Sequence, residues 1–289
     1  LRGLVLKIRL PIALLLALAF CAASGAAQAP AVNISSAQID AIFSSLKSSN
    51  APGAAVLVVR DGRPVFRQGY GVTDLRTRHA IDAQTNFRLA SFTKQFTAAC
   101  VMLLVHDGKL RYDDHLTDLF PEFPAYGKSI TVRNLLNHTS GLPDYEDLLL
   151  KQFPDTPADK VPQILDAGVL KLLEQQTSGK FPPGSKWEYS NSGYAVLAMI
   201  VEKVSGKPFG QFLRDRIFIP LQMNHTLAYE KDKNQVPHRA YGHSKDKQGA
   251  WQETDQSPTS AVLGDGGIYS SLDDLAKWDR ALREHTLLS

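Results

Sequence analysis

The chain has 289 residues, 44% of them hydrophobic and 21% charged, with a formal net charge of +3. That composition suits one large globular domain or two small ones and excludes a low-complexity or disordered chain. The charge is too small and too scattered to point to a nucleic-acid or anionic-membrane partner.

The first 29 residues differ from the rest. Arg2, Lys7 and Arg9 make a basic start, an apolar run follows from Leu10 to Phe20, and small residues lead to Ala27-Gln28-Ala29. Charge, apolar stretch and a small-residue site in that order predict a secretory signal peptide over 1–29, cleaved after Ala29. The run is shorter than the roughly 20 apolar residues a bilayer span needs, so no stable membrane span is expected after cleavage. Cys21 offers a lipoprotein alternative, with bulky Phe20 against it. The segment holds three basic and no acidic residues, so residues 30–289 carry equal numbers of both signs. An exported protein, periplasmic or extracellular, is the expectation. Cys100 is then the only cysteine; among Ala98, Ala99, Val101 and Met102 it reads as a core thiol.

Residues 35–48 place Ile39, Ile42, Phe43 and Leu46 at amphipathic-helix spacing. Ala54–Val59 is an apolar run, Asp61-Gly62 a hairpin turn, and Val65–Gly71 a second strand. Residues 72–86 read as loop. From Ser91 the period becomes helical through Phe92, Phe96, Ala99, Cys100, Leu103 and Leu104, and Asp107-Gly108 stops it. Residues 113–180 look helical and irregular. Tyr194–Val204 is a clear helix, Phe209–Phe218 continues in helical style, and 230–260 are polar and loop-like. Gly264-Asp265-Gly266-Gly267 reads as a flexible turn, and Asp273–Leu282 as a last helix. Two strands cannot cover a large apolar face alone, which hints at sheet partners elsewhere.

The chemistry concentrates in two motifs. Ser-x-x-Lys on a helix puts an amine beside a hydroxyl, and a serine needs such a neighbour to become nucleophilic. The spacing occurs at Ser44/Lys47, Ser91/Lys94 and Ser244/Lys247. Only Ser91 opens a long apolar helix; the bland reading makes it a helix cap. Tyr189-Ser190-Asn191, just before the Tyr194 helix, is a much rarer match. A phenol beside an ammonium can relay the serine proton, and Asn191 can bind a substrate amide. The bland reading here is again a cap. His225, His238 and His243 lack ligand spacing, and no phosphate, dinucleotide or zinc-protease motif occurs, so no metal or cofactor is expected.

Ser91-Phe92-Thr93-Lys94 followed by Tyr189-Ser190-Asn191 resembles the first two motifs of class C β-lactamases and their relatives. These include penicillin-binding proteins, D-alanyl-D-alanine carboxypeptidases, D-amino-acid peptidases and carboxylesterases. Leu135–Leu142 (LLNHTSGL), Phe181-Pro182-Pro183-Gly184, Ile219–Met223 and Gly266-Gly267 with Asp273–Ala276 are similar to further family segments, with Gln222 where a glycine is usual. The resemblance implies one α/β domain over 30–289: an antiparallel sheet flanked by helices, with a largely helical region at about 91–260. It implies Ser91 as nucleophile, Lys94 and Tyr189 as activating groups, Asn191 as a substrate-binding residue, and a structural His138. It also implies a third motif and C-terminal strands beyond Ser289, so that the sequence reads as C-terminally truncated. The expected partner is a small-molecule or peptide substrate: an ester, a D-amino-acid peptide or a β-lactam. A true β-lactamase and a non-catalytic binder or sensor of cell-wall peptides are the alternatives. Nothing in the sequence indicates the oligomeric state.

Overall fold

The computed structural model describes residues 35–288; the expected signal peptide lies outside them. The first helix, α1 (Ser36–Ile42), starts on a reciprocal cap between Ser35 and Gln38 and stops sooner than the apolar pattern predicts. Ile39 is buried, but Ile42 is 72% exposed. The chain breaks instead into a tight turn over Ser44–Leu46. The serines there offer the backbone competing hydrogen bonds, and Phe43 stacks on Tyr70 at 5.2 Å.

Strands β1 (Ala54–Arg60) and β2 (Arg63–Tyr70) form the expected antiparallel hairpin. Asp61 and Gly62 both have positive φ, 50° and 75°, the geometry that matches strand twist in a two-residue hairpin. The register shifts by one residue between Val58 and Val59, opposite Pro64, where proline has no N–H for the ladder. A second sheet runs β3 (Phe87–Arg88), β7 (Ile268–Ser270), β4 (Leu227–Ala228) in spatial order, all antiparallel. Between them in sequence, β5 (His243–Lys245) and β6 (Trp251–Glu253) form a small hairpin. This corrects the loop expected over 230–260. The pair is mostly exposed and polar, so it lacks the apolar alternation that betrays a strand.

The helices follow as α2 (Lys94–His106), α3 (Leu116–Leu119), α4 (Val132–Leu136), α5 (Tyr145–Gln152), α6 (Asp166–Glu174), α7 (Asn191–Ser205), α8 (Phe209–Leu213), α9 (Leu263–Gly266) and α10 (Leu272–Arg283). After α8 the helix widens into a π turn over Arg214–Phe218. Gly108 and Gly206 close α2 and α7 at φ 70°, as expected of a left-handed stop. Helix α7 is buried almost all round, from Ser192 to Ala198 and again at Ile200 and Val201. It packs against α2, α4, α6 and α9 and is the axis of the core. Phe96, Leu104, Leu197 and Ile200 have no exposed surface, and truncating any of them costs about 2–5 kcal/mol. Cys100 lies in this core, and burial pushes its thiol well above the usual range. The architecture is thus the expected mix of antiparallel sheet and helices. No helix among the described residues is long and apolar enough to cross a membrane.

Candidate active site

The site forms where α2 and α7 begin. Ser91 does not cap a helix. It sits inside a 3-10 turn, Ala90–Thr93, that feeds into α2, and that turn has no side-chain cap. Ala90 enters it at φ 48°, a left-handed conformation that costs an L-residue about 1–2 kcal/mol. Such strain persists where surrounding packing enforces it and clusters at functional sites. Phe92, expected on the apolar face, is exposed, because the tight turn rotates it out of the α2 stripe.

Lys94 is the first residue of α2 and only 7% exposed. Its ammonium reaches three acceptors: Ser91 Oγ at 3.2 Å, Asn191 Oδ1 at 2.8 Å and the backbone oxygen of Asp265 at 2.9 Å. An ammonium has three donors, so every one is used. Tyr189 donates its phenol to Ser91 Oγ at 2.7 Å, and the Lys94 nitrogen lies 5.0 Å from the Tyr189 ring centre. Ser91, Lys94, Tyr189 and Asn191, two pairs about 95 residues apart in sequence, therefore meet in one cluster. Ser190 also caps α7 by accepting from Gly193 N at 3.0 Å, so the motif does serve as a helix cap.

His138 supports the phenol from behind. Its ring stacks on Tyr189 at 4.7 Å and lies 5.1 Å from Tyr194. Its Nδ1 accepts the backbone N–H of Ser190 at 3.0 Å. Burial, helped by the Lys94 charge, lowers its tendency to protonate. The other two Ser-x-x-Lys spacings are elsewhere: Ser44 lies in an exposed turn whose Lys47 pairs with Asp40, and Ser244 lies on β5. No group of three or more His, Cys, Asp or Glu fit to hold a metal occurs among the described residues.

Two parts of the site differ from the sequence reading. Glu146, in the first turn of α5, accepts Asn191 Nδ2 at 3.0 Å. A carboxylate only accepts and an ammonium only donates, so Glu146 and Lys94 together fix which way the Asn191 amide faces. The second part corrects the reading of Gly264–Gly267 as a flexible turn. It is buried and helical, as α9, and it delivers the Asp265 carbonyl to Lys94. Gly264 is needed for contact rather than for positive φ: a Cβ there would meet Tyr194 O at 2.3 Å and Ala198 Cβ at 2.7 Å.

The chain is similar to known proteins over most of its length. The family model described as Beta-lactamase matches residues 39–289. Penicillin-binding protein 4* of Bacillus subtilis is 31% identical over 264 residues, covering 87% of this chain and 56% of that protein. D-aminopeptidase of Brucella anthropi is 31% identical over 234 residues, 79% of this chain and 42% of that protein. Among solved structures, D-amino acid amidase from Ochrobactrum anthropi SV3 superposes with a TM-score of 0.69 at 27% identity, covering 87% of this chain and 72% of that one. The chain spans about half the length of the curated relatives it matches.

Proposed function

Because the chain belongs to the beta-lactamase family, we propose that it is a serine hydrolase that works through an acyl-enzyme on Ser91. The observation that carries this reading is the Ser91 hydroxyl held between the Tyr189 phenol and the Lys94 ammonium. With Tyr189 in its deprotonated, phenolate form, Ser91 Oγ attacks the substrate carbonyl, forming a C–O bond while the serine proton passes to the Tyr189 oxygen across the 2.7 Å that separates the two oxygens. The tetrahedral intermediate collapses, the bond to the leaving group breaks, and Tyr189 returns the proton to that group. Water, activated by the same pair, then releases the acid and regenerates Ser91. Throughout, the Lys94 ammonium, 3.2 Å from Ser91 Oγ and 5.0 Å from the centre of the Tyr189 ring, offsets the negative charge moving between the two side chains. Asn191 orients the substrate amide or ester. Proton relay of this kind contributes about 10²–10⁴ in rate, and stabilisation of the oxyanion is usually the larger share.

The substrate class is an ester, a D-amino-acid peptide or a β-lactam. The names of the relatives, penicillin-binding protein and D-aminopeptidase, favour D-amino-acid peptides and β-lactams over simple esters, and the basic, apolar and small-residue order of residues 1–29 supports an exported protein. The test is intact-mass analysis of wild type and Ser91→Ala after incubation with a fluorescent penicillin, alongside turnover of a p-nitrophenyl ester. An adduct or turnover in wild type alone supports the reading. Neither reaction in wild type refutes it and leaves a binder of cell-wall peptides.

A further inference from the structure

The reaction outlined above uses neither of the two buried carboxylates at the α9 turn, Asp166 and Asp265. Asp166, the first residue of α6, is only 8% exposed. It accepts the backbone N–H groups of Leu263 at 2.8 Å and Gly264 at 2.9 Å. Burial pushes its carboxyl up to about 7, although those two bonds pull the other way. Asp265 is equally buried, accepts the Tyr145 phenol at 2.8 Å, and is pushed up to about 6 by burial. Burying a carboxylate is costly unless it is hydrogen-bonded, and Asp166 commits both of its oxygens to the α9 backbone.

Its geometry shows what it holds. The α9 turn is held by several parts of the fold at once. Asp166 of α6 takes the N–H groups of Leu263 and Gly264. Thr97 of α2 donates to the Gly264 carbonyl at 2.6 Å. Tyr145 of α5 holds the Asp265 side chain. Gly264 lies flat on the α7 backbone, and Gly266 leaves room for the Arg88 guanidinium of β3. The turn's hydrogen bond to the cluster comes from the Asp265 carbonyl, on Lys94 Nζ at 2.9 Å.

We infer that Asp166 is a positioning residue for the reaction: it locks the Leu263–Gly266 turn so that the Asp265 carbonyl holds the Lys94 ammonium against Ser91. This rests on the acyl-enzyme reading. Asp166 touches no reacting atom; it acts through two backbone bonds and one carbonyl. A small misplacement of a catalytic group costs up to about 100-fold in rate, while substrate contacts that do not involve Lys94 are left alone. The signature is therefore a slower chemical step at unchanged substrate affinity.

The experiment measures the burst of p-nitrophenol release from an ester in wild type, Ser91→Ala, Asp166→Asn and Thr97→Val, each checked for a cooperative melt. In Asp166→Asn the amide accepts one of the two N–H groups and clashes with the other. The burst rate at saturating ester is expected to fall about 10-fold or more, with the half-saturating concentration within about three-fold of wild type. Thr97→Val frees the same turn from the opposite side and is expected to shift the same quantity in the same direction. A folded Asp166→Asn with a wild-type burst rate overturns the inference, as does a loss that appears in the half-saturating concentration instead. If Asp166→Asn does not fold, Thr97→Val decides by the same two criteria. A wild type with no Ser91-dependent burst sinks the acyl-enzyme reading and the inference together; a normal wild-type burst with unaffected variants sinks the inference alone.

Discussion

Replacing Glu146 tests whether the site depends on one amide facing the right way. The carboxylate takes the Asn191 amide nitrogen at 3.0 Å, and the amide oxygen takes Lys94 at 2.8 Å. In Glu146→Ala nothing holds the nitrogen end, and a flipped Asn191 would set donor against donor at Lys94. The ammonium then loses one of three acceptors. A hydrogen bond to a charged group is worth about 1.5–3 kcal/mol, which corresponds to roughly 10- to 150-fold in rate. Water can replace part of that bond, so the lower end, about 10-fold in kcat, is the expected result. Glu146→Gln can still accept the Asn191 nitrogen through its own carbonyl, and kcat is expected to stay within about three-fold of wild type. Steady-state hydrolysis of a p-nitrophenyl ester by the three proteins, with melting curves, measures both. Wild-type kcat in a folded Glu146→Ala would refute the orientation argument. Equal damage in Gln and Ala would show that the negative charge, not the amide direction, is what matters.

Three further outcomes follow from the same structure. Tyr189→Phe removes the phenol that bonds Ser91 but leaves a ring that is already 44% exposed; kcat should fall about 10²–10⁴-fold with little change in melting temperature, and a kcat near wild type would exclude Tyr189 as proton carrier. Asp166 and Asp265 hold protons in the folded chain that the unfolded chain releases near pH 4. Their contribution to stability is therefore fully present below about pH 4 and lost as pH rises through about 6 to 7. Melting at pH 5 and pH 8 should show a smaller loss in Asp166→Asn than in wild type; His138, whose contribution has the opposite sign, cancels in that comparison, and identical pH slopes would contradict the assignment. Gly264→Ala forces a Cβ to within 2.3 Å of the Tyr194 carbonyl, an overpacking that costs about 1–3 kcal/mol and should lower the melting temperature by roughly 2–4 °C per kcal/mol; an unchanged melt would mean that the turn has slack.

What could be read before the fold was known depended on whether the signal was local. Ser91 and Lys94 share one helical turn that opens a long apolar helix, and Tyr189 to Asn191 are contiguous, so local pattern singles them out from the two other Ser-x-x-Lys spacings. The Asp61-Gly62 turn and the glycine stops at Gly108 and Gly206 were legible for the same reason: each answers a backbone demand within a few residues. Glu146, Asp166 and Tyr145 were not, because each meets its partner from 45 to 120 residues away and has no distinctive neighbours. Gly264 was misread because glycine has two uses. Positive φ makes a flexible turn; a missing Cβ lets two backbones touch, and only the fold distinguishes the second. The β5–β6 hairpin escaped because its side chains face water on both sides, leaving no apolar alternation to detect.

The three acceptors around Lys94 also bear on the order in which the site assembles. One bond spans three residues, one spans 97 and one spans 171. Contacts of high sequence separation carry the loop-closure entropy of the chain between them and form late. The apolar interior of α2 and α7 can collapse before the α9 turn arrives from the far end of the chain. During refolding from denaturant, helical circular dichroism should therefore recover ahead of ester turnover, and the interval between the two would time the docking of residues 263–266.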